Sequence, residues 1–408
     1  MADTMTSDQT LIIDDDDRYG RMRLIAWWDQ EKLRNARVLV VGIGALGNEV
    51  AKNLVLMGVG DVVGIDLDCV EDSNLTRSVL FRQPDNGKPK VDAAARALLD
   101  MNADTRFHPI HGNVMTDIGL GLVRDVDVVI GCLDNREARL WVNRMCWKTG
   151  TPWVDGGIQE INGVAKVFVP PDGACYECAM TENDYRLMNI RYSCPLLKRE
   201  DILEGKVPTA PTISSIIAGL QTQEALKLIH GMEVEDGGAM VFNGIANNFY
   251  KTSYQHRPDC LSHDFYGEPV ESGLSQQSLL KELFEFARQR IGEKGLTIRL
   301  DRDLVESLDC PACDSREEVL LPTSLVSADR LVCADCGASR KPVLTHQIPS
   351  DSVLSGKRVA DVGIPLYDIV RIQTDEKEIF VELDGDRSVA WGSPYRESDP
   401  STPTGRGG

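Results

Sequence analysis

The sequence predicts a doubly wound α/β domain followed by a smaller, β-rich domain. Short, wholly apolar runs at residues 38–41 and 62–65 are typical of central parallel strands. These runs alternate with amphipathic segments of helical period, which is the pattern of strand, helix and strand in such folds. A later segment is rich in strand-forming residues and carries the last four cysteines. In a doubly wound sheet, the ligand binds at the carboxyl ends of the strands.

The predicted elements of the first domain follow in regular order. After the strand at residues 38–41, a helix is expected from about residue 48 to a stop at Gly58. Further buried strands are expected at residues 62–65 and 126–130. A long helix over residues 213–230 then ends before a glycine, a common helix stop.

Composition shifts divide the chain into five parts. The predicted parts are a disordered acidic arm at 1–17, a first domain at 18–267, a linker at 268–277, a second domain at 278–392 and a disordered tail at 393–408. The second domain opens with an amphipathic helix at 279–291, and a strand at 378–383 suggests a small docking module for a protein partner.

The net charge of −19 argues against nucleic acid as the main partner, because binding a phosphate backbone needs a cationic surface. No apolar run approaches the roughly 18 to 20 residues that span a bilayer. The acidic stretch at 14–17 differs from the basic start of a signal peptide. We therefore expect a cytoplasmic protein that binds neither nucleic acid nor membrane.

Six of the 11 cysteines form three Cys-x-x-Cys pairs. In a reducing compartment such pairs indicate metal ligands rather than disulfides. The first pair, together with a Cys-x-x-His, offers four ligands for tetrahedral zinc: Cys175, Cys178, Cys260 and His263. The other two pairs have the spacing of a zinc ribbon: Cys310, Cys313, Cys333 and Cys336. A closed four-cysteine site leaves no open coordination position, so we expect this zinc to be structural.

The stretch Gly42-Ile-Gly44-Ala-Leu-Gly47 lies between an apolar strand and a helix. This arrangement places backbone N–H groups and a helix N-terminus against a phosphate. Asp66, at the end of the next strand, is suitably placed to accept hydrogen bonds from a ribose. Folds that bind NAD, FAD or ATP all use this glycine pattern, so it leaves hydride transfer and ATP chemistry both open.

Two cations and one acid favour ATP. Arg77 and Lys90 follow the glycines closely enough to neutralise a triphosphate, and Asp134 could hold Mg²⁺ through its oxygens. Adenylyl transfer needs such groups because the departing pyrophosphate must be neutralised, whereas hydride transfer does not. A carboxylate nucleophile is already ionised, which agrees with the absence of an obvious base motif.

The motifs and their order resemble those of the ThiF/MoeB superfamily over about residues 18–265. The matching motifs are Gly42-x-Gly44-x-x-Gly47, Asp66-x-Asp68, Ser73-Asn74-Leu-x-Arg77, Lys88-Pro-Lys90 and Leu133-Asp134-Asn135. The resemblance implies a Rossmann-like domain in which these residues bind ATP and Mg²⁺. It further implies adenylation of the C-terminal glycine of ubiquitin or of a ubiquitin-like sulfur carrier.

Other positions extend the resemblance or depart from it. Arg18, in Arg18-Tyr19-x-Arg21, is similar to an N-terminal arginine motif of the family, which implies a homodimer whose Arg18 reaches the partner's ATP site. Ser78 departs from the glutamine that is usual in the family, and His263 replaces a cysteine. The departure at Ser78 affects a contact with ATP, and the departure at His263 changes a zinc ligand.

The cysteines outside the pairs are Cys69, Cys132, Cys146 and Cys194. The first three are expected in the core. Cys194 is surrounded in sequence by arginines and lysines, and nearby cations raise the thiolate fraction of a thiol. Resemblance to ubiquitin-activating enzymes implies that Cys194 forms a thioester with the activated protein. A structural thiol or an alternative zinc ligand remains the other interpretation.

These observations favour an activating enzyme for a ubiquitin-like protein. It would adenylate the C-terminal glycine, form a thioester on Cys194 and pass the protein to a conjugating enzyme. The first alternative is a sulfur-carrier adenylyltransferase without a transferable thioester, although no sulfur-donor domain is evident. An NAD-dependent redox enzyme and a non-catalytic, zinc-bearing interaction protein are the remaining alternatives.

Overall fold

The computed structural model describes residues 17–185, 208–292 and 295–395. The larger sheet has eight strands: β1 (Arg37–Val41), β2 (Asp61–Asp66), β3 (Arg106–His111), β4 (Val128–Gly131), β5 (Trp153–Gln159), β6 (Asn162–Phe168), β7 (Gly238–Asn243) and β8 (Asn248–Ser253). Their spatial order is β3-β2-β1-β4-β5-β6-β7-β8. The first five strands are parallel and the last three antiparallel.

Helices cover both faces of this sheet. They are α1 (Gln30–Asn35), α2 (Ala45–Leu56), α3 (Lys90–Met101), α4 (Leu120–Arg124), α5 (Arg136–Thr149) and α6 (Pro211–His230). Apolar residues of α2, α3 and α6 share one buried cluster with the sheet, and those of α4 and α5 share another. The predicted doubly wound α/β fold is confirmed. The helix expected from residue 48 begins earlier, at Ala45, because the glycine turn leads directly into it.

A second sheet follows. Its strands are β9 (Val270–Glu271), β10 (Thr297–Asp309), β11 (Arg316–Pro322), β12 (Lys341–Pro349), β13 (Ile369–Gln373) and β14 (Glu378–Glu382), accompanied by helices α7 (Leu280–Ile291) and α8 (Arg387–Ala390). The strand order is β11-β10-β13-β14-β9, and β12 also pairs with β10. Strand β9 lies inside the segment expected to be a linker, and it pairs in parallel with β14. That pairing joins residues far apart in the chain, so local composition could not indicate it.

The second sheet has its own apolar core but also completes a layer of the first domain. Tyr367, Ile369 and Phe380 belong to the same buried cluster as α4 and α5. The backbone N–H of Gly121 donates to the Tyr367 carbonyl at 2.9 Å. Arg124 pairs with a buried glutamate of β14. Within the described residues, no helix is long and apolar enough to cross a bilayer.

The close approach at Gly121 supports a prediction on stability. A Cβ added there would lie 2.5 Å from the Tyr367 carbonyl oxygen, whereas a Cβ at Gly219 in α6 would meet nothing within 4 Å. We expect Gly121→Ala to lower the free energy of unfolding by about 1–3 kcal/mol through overpacking. Gly219→Ala should raise it by about 0.5–1 kcal/mol because alanine favours a helix interior. Thermal unfolding midpoints measure both changes, and a Gly121→Ala midpoint at or above that of the wild type would contradict the prediction.

Candidate functional site

The glycine turn between β1 and α2 is held by close backbone packing. Gly42 has a φ of +90°, and a Cβ added at Gly47 would lie 1.9 Å from the Gly42 carbonyl oxygen. Only glycine fits both positions. Gly44 is the N-cap of α2 and provides no side-chain cap, and a Cβ added to it would meet no atom within 4 Å. The helix N-terminus therefore opens onto space that an anionic group can enter.

Asp66 fixes this turn against the end of β2. Its carboxylate accepts hydrogen bonds from the backbone N–H of Ile43 at 2.6 Å and of Asp68 at 2.8 Å. Burial raises the pKa of the Asp66 carboxyl, while the positive charge of Lys90 and the two N–H donors act in the opposite direction. These contacts place the Asp66 carboxylate directly beside the turn, and its contact with a ribose remains a prediction.

Lys90 is brought to the same place by α3. It is the first residue of that helix, nearly buried, and its Nζ lies 2.7 Å from Oδ2 of Asp68. Lys88 belongs to the same motif, but its side chain has a different partner: its Nζ lies 3.5 Å from Oδ1 of Asp85. Of the two lysines, Lys90 is thus the one that lies beside Asp68 and the glycine turn.

Asn74 and Arg77 share one compact turn. Oδ1 of Asn74 accepts from the backbone N–H of Glu71 at 3.0 Å, and Nη1 of Arg77 donates to the Ser73 carbonyl at 2.8 Å. These bonds fix both side chains to the backbone of their own turn. Ser78, the departure from the family pattern, is buried just beyond it.

Asp134 and Asn135 follow β4, the strand beside β1. The backbone N–H of Cys132 donates to the Val41 carbonyl at 2.8 Å, so the two strands end at the same edge. Asp134 is exposed there, and Asn135 caps α5 by accepting from the N–H of Ala138 at 2.8 Å. The carboxyl edge therefore carries the glycine turn, Asp66 and Asp134 together.

Two residues at this edge were not predicted from the sequence. Arg139 donates through Nη2 to the carbonyls of Leu133 at 2.5 Å and Gly156 at 2.9 Å, and its Nε lies 3.1 Å from the buried Asp155 carboxylate. It thereby holds the loop that carries Asp134. The other residue is Asn48, an asparagine among apolar residues on the buried face of α2, and that contrast was the available signal.

Arg18 is not brought to the glycine turn of its own chain. Its Nη1 donates to the carbonyl of Met101 at 2.9 Å, at the opposite end of α3 from Lys90. With 12 residues, α3 is about 18 Å long. An Arg18 that takes part at this site would therefore act on a second copy of the chain or would need to move.

The predicted thioester cysteine, Cys194, lies outside the described residues. The chain on either side of its segment is anchored beside the site. Asp184 pairs with Nε of Arg136, in the first turn of α5, at 2.9 Å, and the Pro208 carbonyl accepts from the N–H of Glu160 at 2.7 Å. The described chain therefore stops near the start of α5, at Asp184 and Tyr185, and resumes at Pro208 beside the β5–β6 turn.

The remaining thiols differ in exposure. Cys146 is completely buried, as expected. Burial also raises the pKa of the Cys132 thiol, so it stays protonated near neutral pH. Cys69 was expected in the core but is exposed, because it follows the end of β2 in the loop that leads away from the sheet.

The first predicted metal cluster converges. Its sulfur and nitrogen atoms all lie within 4.8 Å of one another, with Cys175 Sγ 3.5 Å from Cys260 Sγ and Cys178 Sγ 3.4 Å from His263 Nε2. Tetrahedral zinc with sulfur ligands separates those ligands by about 3.8 Å, so the donor set fits this metal. Burial lowers the pKa of His263, and the neighbouring His256 lowers it further, which favours the neutral imidazole that binds a metal.

The second cluster converges equally, and its four ligands are cysteines. Cys310 Sγ lies 3.5 Å from Cys336 Sγ, and Cys313 Sγ lies 3.7 Å from Cys333 Sγ. Two short Cys-x-x-Cys turns bring the ligands together at the ends of β10, β11 and β12. These distances also fit tetrahedral zinc.

Zinc content tests both clusters. We expect purified protein to hold two equivalents of zinc, one for each cluster. Cys175→Ser should lose one equivalent and Cys333→Ser the other, because replacing a thiolate removes a ligand. Elemental analysis of the purified variants measures this, with Cys69→Ser as the control that keeps both. Unchanged zinc in either ligand variant would contradict the assignment of that cluster.

Comparison with known proteins agrees with this arrangement. The ThiF family matches residues 17–262, which is more than half of the chain. Ubiquitin-like modifier-activating enzyme 5 of Dictyostelium discoideum is 31% identical over 244 residues, covering 56% of this chain and 62% of the relative. SAMP-activating enzyme E1 of Haloferax volcanii is 32% identical over 254 residues, covering 60% of this chain and 87% of the relative.

Among solved structures, E. coli MccB with ATP has the same fold, with a TM-score of 0.51, 24% identity and coverage of 61% of this chain and 74% of that chain. The chain spans less than two thirds of the length of the Dictyostelium relative. The matched region contains the larger sheet, the glycine turn and the three cysteines of the first cluster, and it ends one residue before His263. The resemblance predicted from the motifs is confirmed, and the chain belongs to the ThiF family.

Proposed function

We propose that the chain activates a ubiquitin-like protein by ATP-dependent adenylation of its C-terminal glycine. The observation that carries this proposal is the gathering of the glycine turn, Asp66, Lys90 and Asp134 at the carboxyl edge of the sheet. Two of the matched relatives are named as activating enzymes, one for a ubiquitin-like modifier and one for SAMP.

In this proposal, the glycine turn and the N-terminus of α2 hold the phosphates of ATP. Asp66 and Asp68 contact the ribose of ATP, and Asn74 and Arg77 contact its triphosphate. Asp134 and Asn135 lie where Mg²⁺ would be held, and the cation would neutralise phosphate charge. Lys90 exchanges its contact with Asp68 for a phosphate oxygen.

The chemical step needs no general base. A carboxylate oxygen of the C-terminal glycine attacks the α-phosphorus, and the bond from that phosphorus to the bridging oxygen breaks. Pyrophosphate leaves with the bonding electrons, and the acyl adenylate remains. Lys90 and Arg77 stabilise the charge that develops on the leaving group. Because a carboxylate is already ionised at neutral pH, no proton has to be removed.

We also propose that the enzyme is a homodimer in which Arg18 serves the site of the partner. The contact of Arg18 with the far end of α3 in its own chain supports this, since α3 separates it from Lys90. A mixture of Arg18→Ala and Asp134→Ala proteins would restore activity in heterodimers if the site is shared.

The next step would take place on Cys194. Its thiolate would attack the acyl carbon of the adenylate, forming a thioester and releasing AMP. The anchoring of Asp184 and Pro208 beside the site supports this role. A conjugating enzyme would then accept the protein. The alternative is activation of a sulfur carrier. In that case sulfur is added to the adenylate, and Cys194 does not form a transferable thioester.

The proposed adenylation unit comprises residues 18–267, and the proposed C-terminal unit comprises residues 278–392 with a structural zinc. We infer that the C-terminal unit contacts a protein partner while also covering α4 and α5. Paired cysteines that serve as metal ligands are typical of a reducing compartment, which supports a cytoplasmic location.

ATP–pyrophosphate exchange tests the proposed function. The protein, Mg-ATP and labelled pyrophosphate are incubated with candidate ubiquitin-like proteins that end in glycine. Exchange should require the partner and should fail with a partner whose C-terminal carboxylate is amidated, because the nucleophile is then absent. Exchange that is equally fast with the amidated partner, or reduction of a nicotinamide cofactor without ATP use, would reject the proposal.

A further inference from the structure

We propose that Asn48 is a positioning residue for nucleotide binding. Its side-chain amide sets the distance between the glycine turn and the turn that carries Asn74 and Arg77. This inference rests on the proposed function, because that function assigns the triphosphate to both turns. Within the described residues, the Asn48 side chain bonds to backbone groups of Ile43, Gly44 and Leu80 and not to the side chains of Asn74 or Arg77, so it would act through the backbone.

Asn48 joins the two segments through three hydrogen bonds. Its Nδ2 donates to the carbonyl of Ile43 at 2.8 Å and to that of Gly44 at 3.0 Å. Its Oδ1 accepts from the backbone N–H of Leu80 at 2.8 Å. The side chain of Asn48 is completely buried and that of Leu80 nearly so. Water therefore has little access to replace these bonds.

The connection matters because the two turns lie in separate parts of the chain, with α2 and β2 between them. Ile43 and Gly44 form the glycine turn after β1, and Leu80 lies beyond β2 in a different loop. The turn of Asn74 and Arg77 is held together by its own bonds, including Arg77 N–H to the Asn74 carbonyl at 3.1 Å. Leu80 follows Arg77 by only three residues. We therefore infer that a shift of Leu80 relative to the glycine turn would displace Arg77 relative to the proposed phosphate position.

A purely structural role for Asn48 makes a different prediction. A buried amide that only satisfies backbone groups lowers stability when it is removed, but it leaves the affinity of the folded protein for nucleotide unchanged. Thr151 offers a comparison. It is buried, and its Oγ1 donates to the Val123 carbonyl at 3.0 Å, joining two segments at the amino end of β5. That end of the sheet is opposite the carboxyl edge.

The test measures Mg-ATP binding by calorimetry on the full chain. The variants are Asn48→Ala, Arg77→Ala, the double variant and Thr151→Ala. We expect Asn48→Ala to weaken binding by on the order of tenfold, because small displacements of a binding group cost this much. Thr151→Ala should bind as the wild type does. The double variant should bind little worse than Arg77→Ala alone, because Asn48 acts mainly through that turn.

Two results would overturn the inference. One is an Asn48→Ala affinity equal to that of the wild type and Thr151→Ala, and the other is an additive loss in the double variant. If Asn48→Ala does not fold, Asn48→Ser replaces it, since its hydroxyl keeps a donor and an acceptor that cannot span the same distance. Wild-type protein that binds Mg-ATP but lacks exchange with any ubiquitin-like partner would reject the proposed function, while the binding data would still decide the role of Asn48.

Discussion

Lys90→Ala is expected to lower the rate of ATP–pyrophosphate exchange by roughly 100-fold or more. Lys90 is held at the first position of α3, with its Nζ 2.7 Å from Oδ2 of Asp68, directly beside the glycine turn. A fixed cation there stabilises the charge that develops on the departing pyrophosphate. Its removal therefore raises the free energy of the transition state more than that of the bound substrate. The effect should therefore appear chiefly in kcat, with a smaller change in KM for ATP.

Lys88→Ala is the matched control. Lys88 belongs to the same motif and has the same charge, but it is half-exposed and pairs with Asp85 at 3.5 Å. Exchange by Lys88→Ala should stay within about twofold of the wild type, because the half-exposed Lys88 ammonium pairs with Asp85 and not with a residue of the proposed ATP site. Equal losses in the two variants would show that net charge, rather than the position of Lys90, governs the rate.

Cys194→Ala is expected to abolish the thioester while leaving adenylation intact. After incubation with Mg-ATP and a ubiquitin-like partner, wild-type protein should give an adduct on a non-reducing gel that disappears with thiol reagents. The variant should give none, because no sulfur remains to attack the acyl adenylate. Its pyrophosphate exchange should stay within about twofold of the wild type, since exchange precedes the thioester.

Cys69→Ala serves as the control for exposed thiols. Cys69 is exposed and belongs to neither cysteine cluster, so its removal tests whether an accessible thiol alone gives the adduct. It should retain the adduct. An adduct that persists in Cys194→Ala and disappears in Cys69→Ala would move the thioester to Cys69. Exchange without any adduct in the wild type would favour activation of a sulfur carrier.

The fold and the edge that carries the site could be predicted from local patterns. Apolar strands such as β1 and β4, separated by helices, require a parallel sheet whose carboxyl ends meet. That requirement places Gly42, Asp66 and Asp134 at one edge without any knowledge of side-chain contacts. The cysteine clusters were predictable for a related reason, because Cys-x-x-Cys spacing leaves few geometries that bind a metal.

The remaining features depend on contacts between distant residues. Strand β9 forms only because β14 lies beside it, and Arg139 is important only because the loop after β4 and strand β5 both present carbonyls to it. Asn48 belongs to the same class, since its partner Leu80 lies on a different loop. Periodicity and composition describe single segments, so they indicate none of these pairings.

The exposure of Cys69 reflects the same limit. The predicted buried strand just before Cys69 suggests a core position, yet the chain has already left β2 at that point. A shift of a few residues at the end of a strand decides whether a side chain faces the core or the solvent. Sequence patterns define such boundaries least well.

The most direct test of C-terminal adenylation follows an oxygen atom. A ubiquitin-like partner whose C-terminal carboxylate carries ¹⁸O is incubated with the protein and Mg-ATP, a thiol then releases the adenylate, and the AMP is analysed by mass spectrometry. If the carboxylate attacks the α-phosphorus, the AMP carries one ¹⁸O from the partner. AMP that contains only solvent or ATP oxygen, or ADP in place of AMP, would contradict the account.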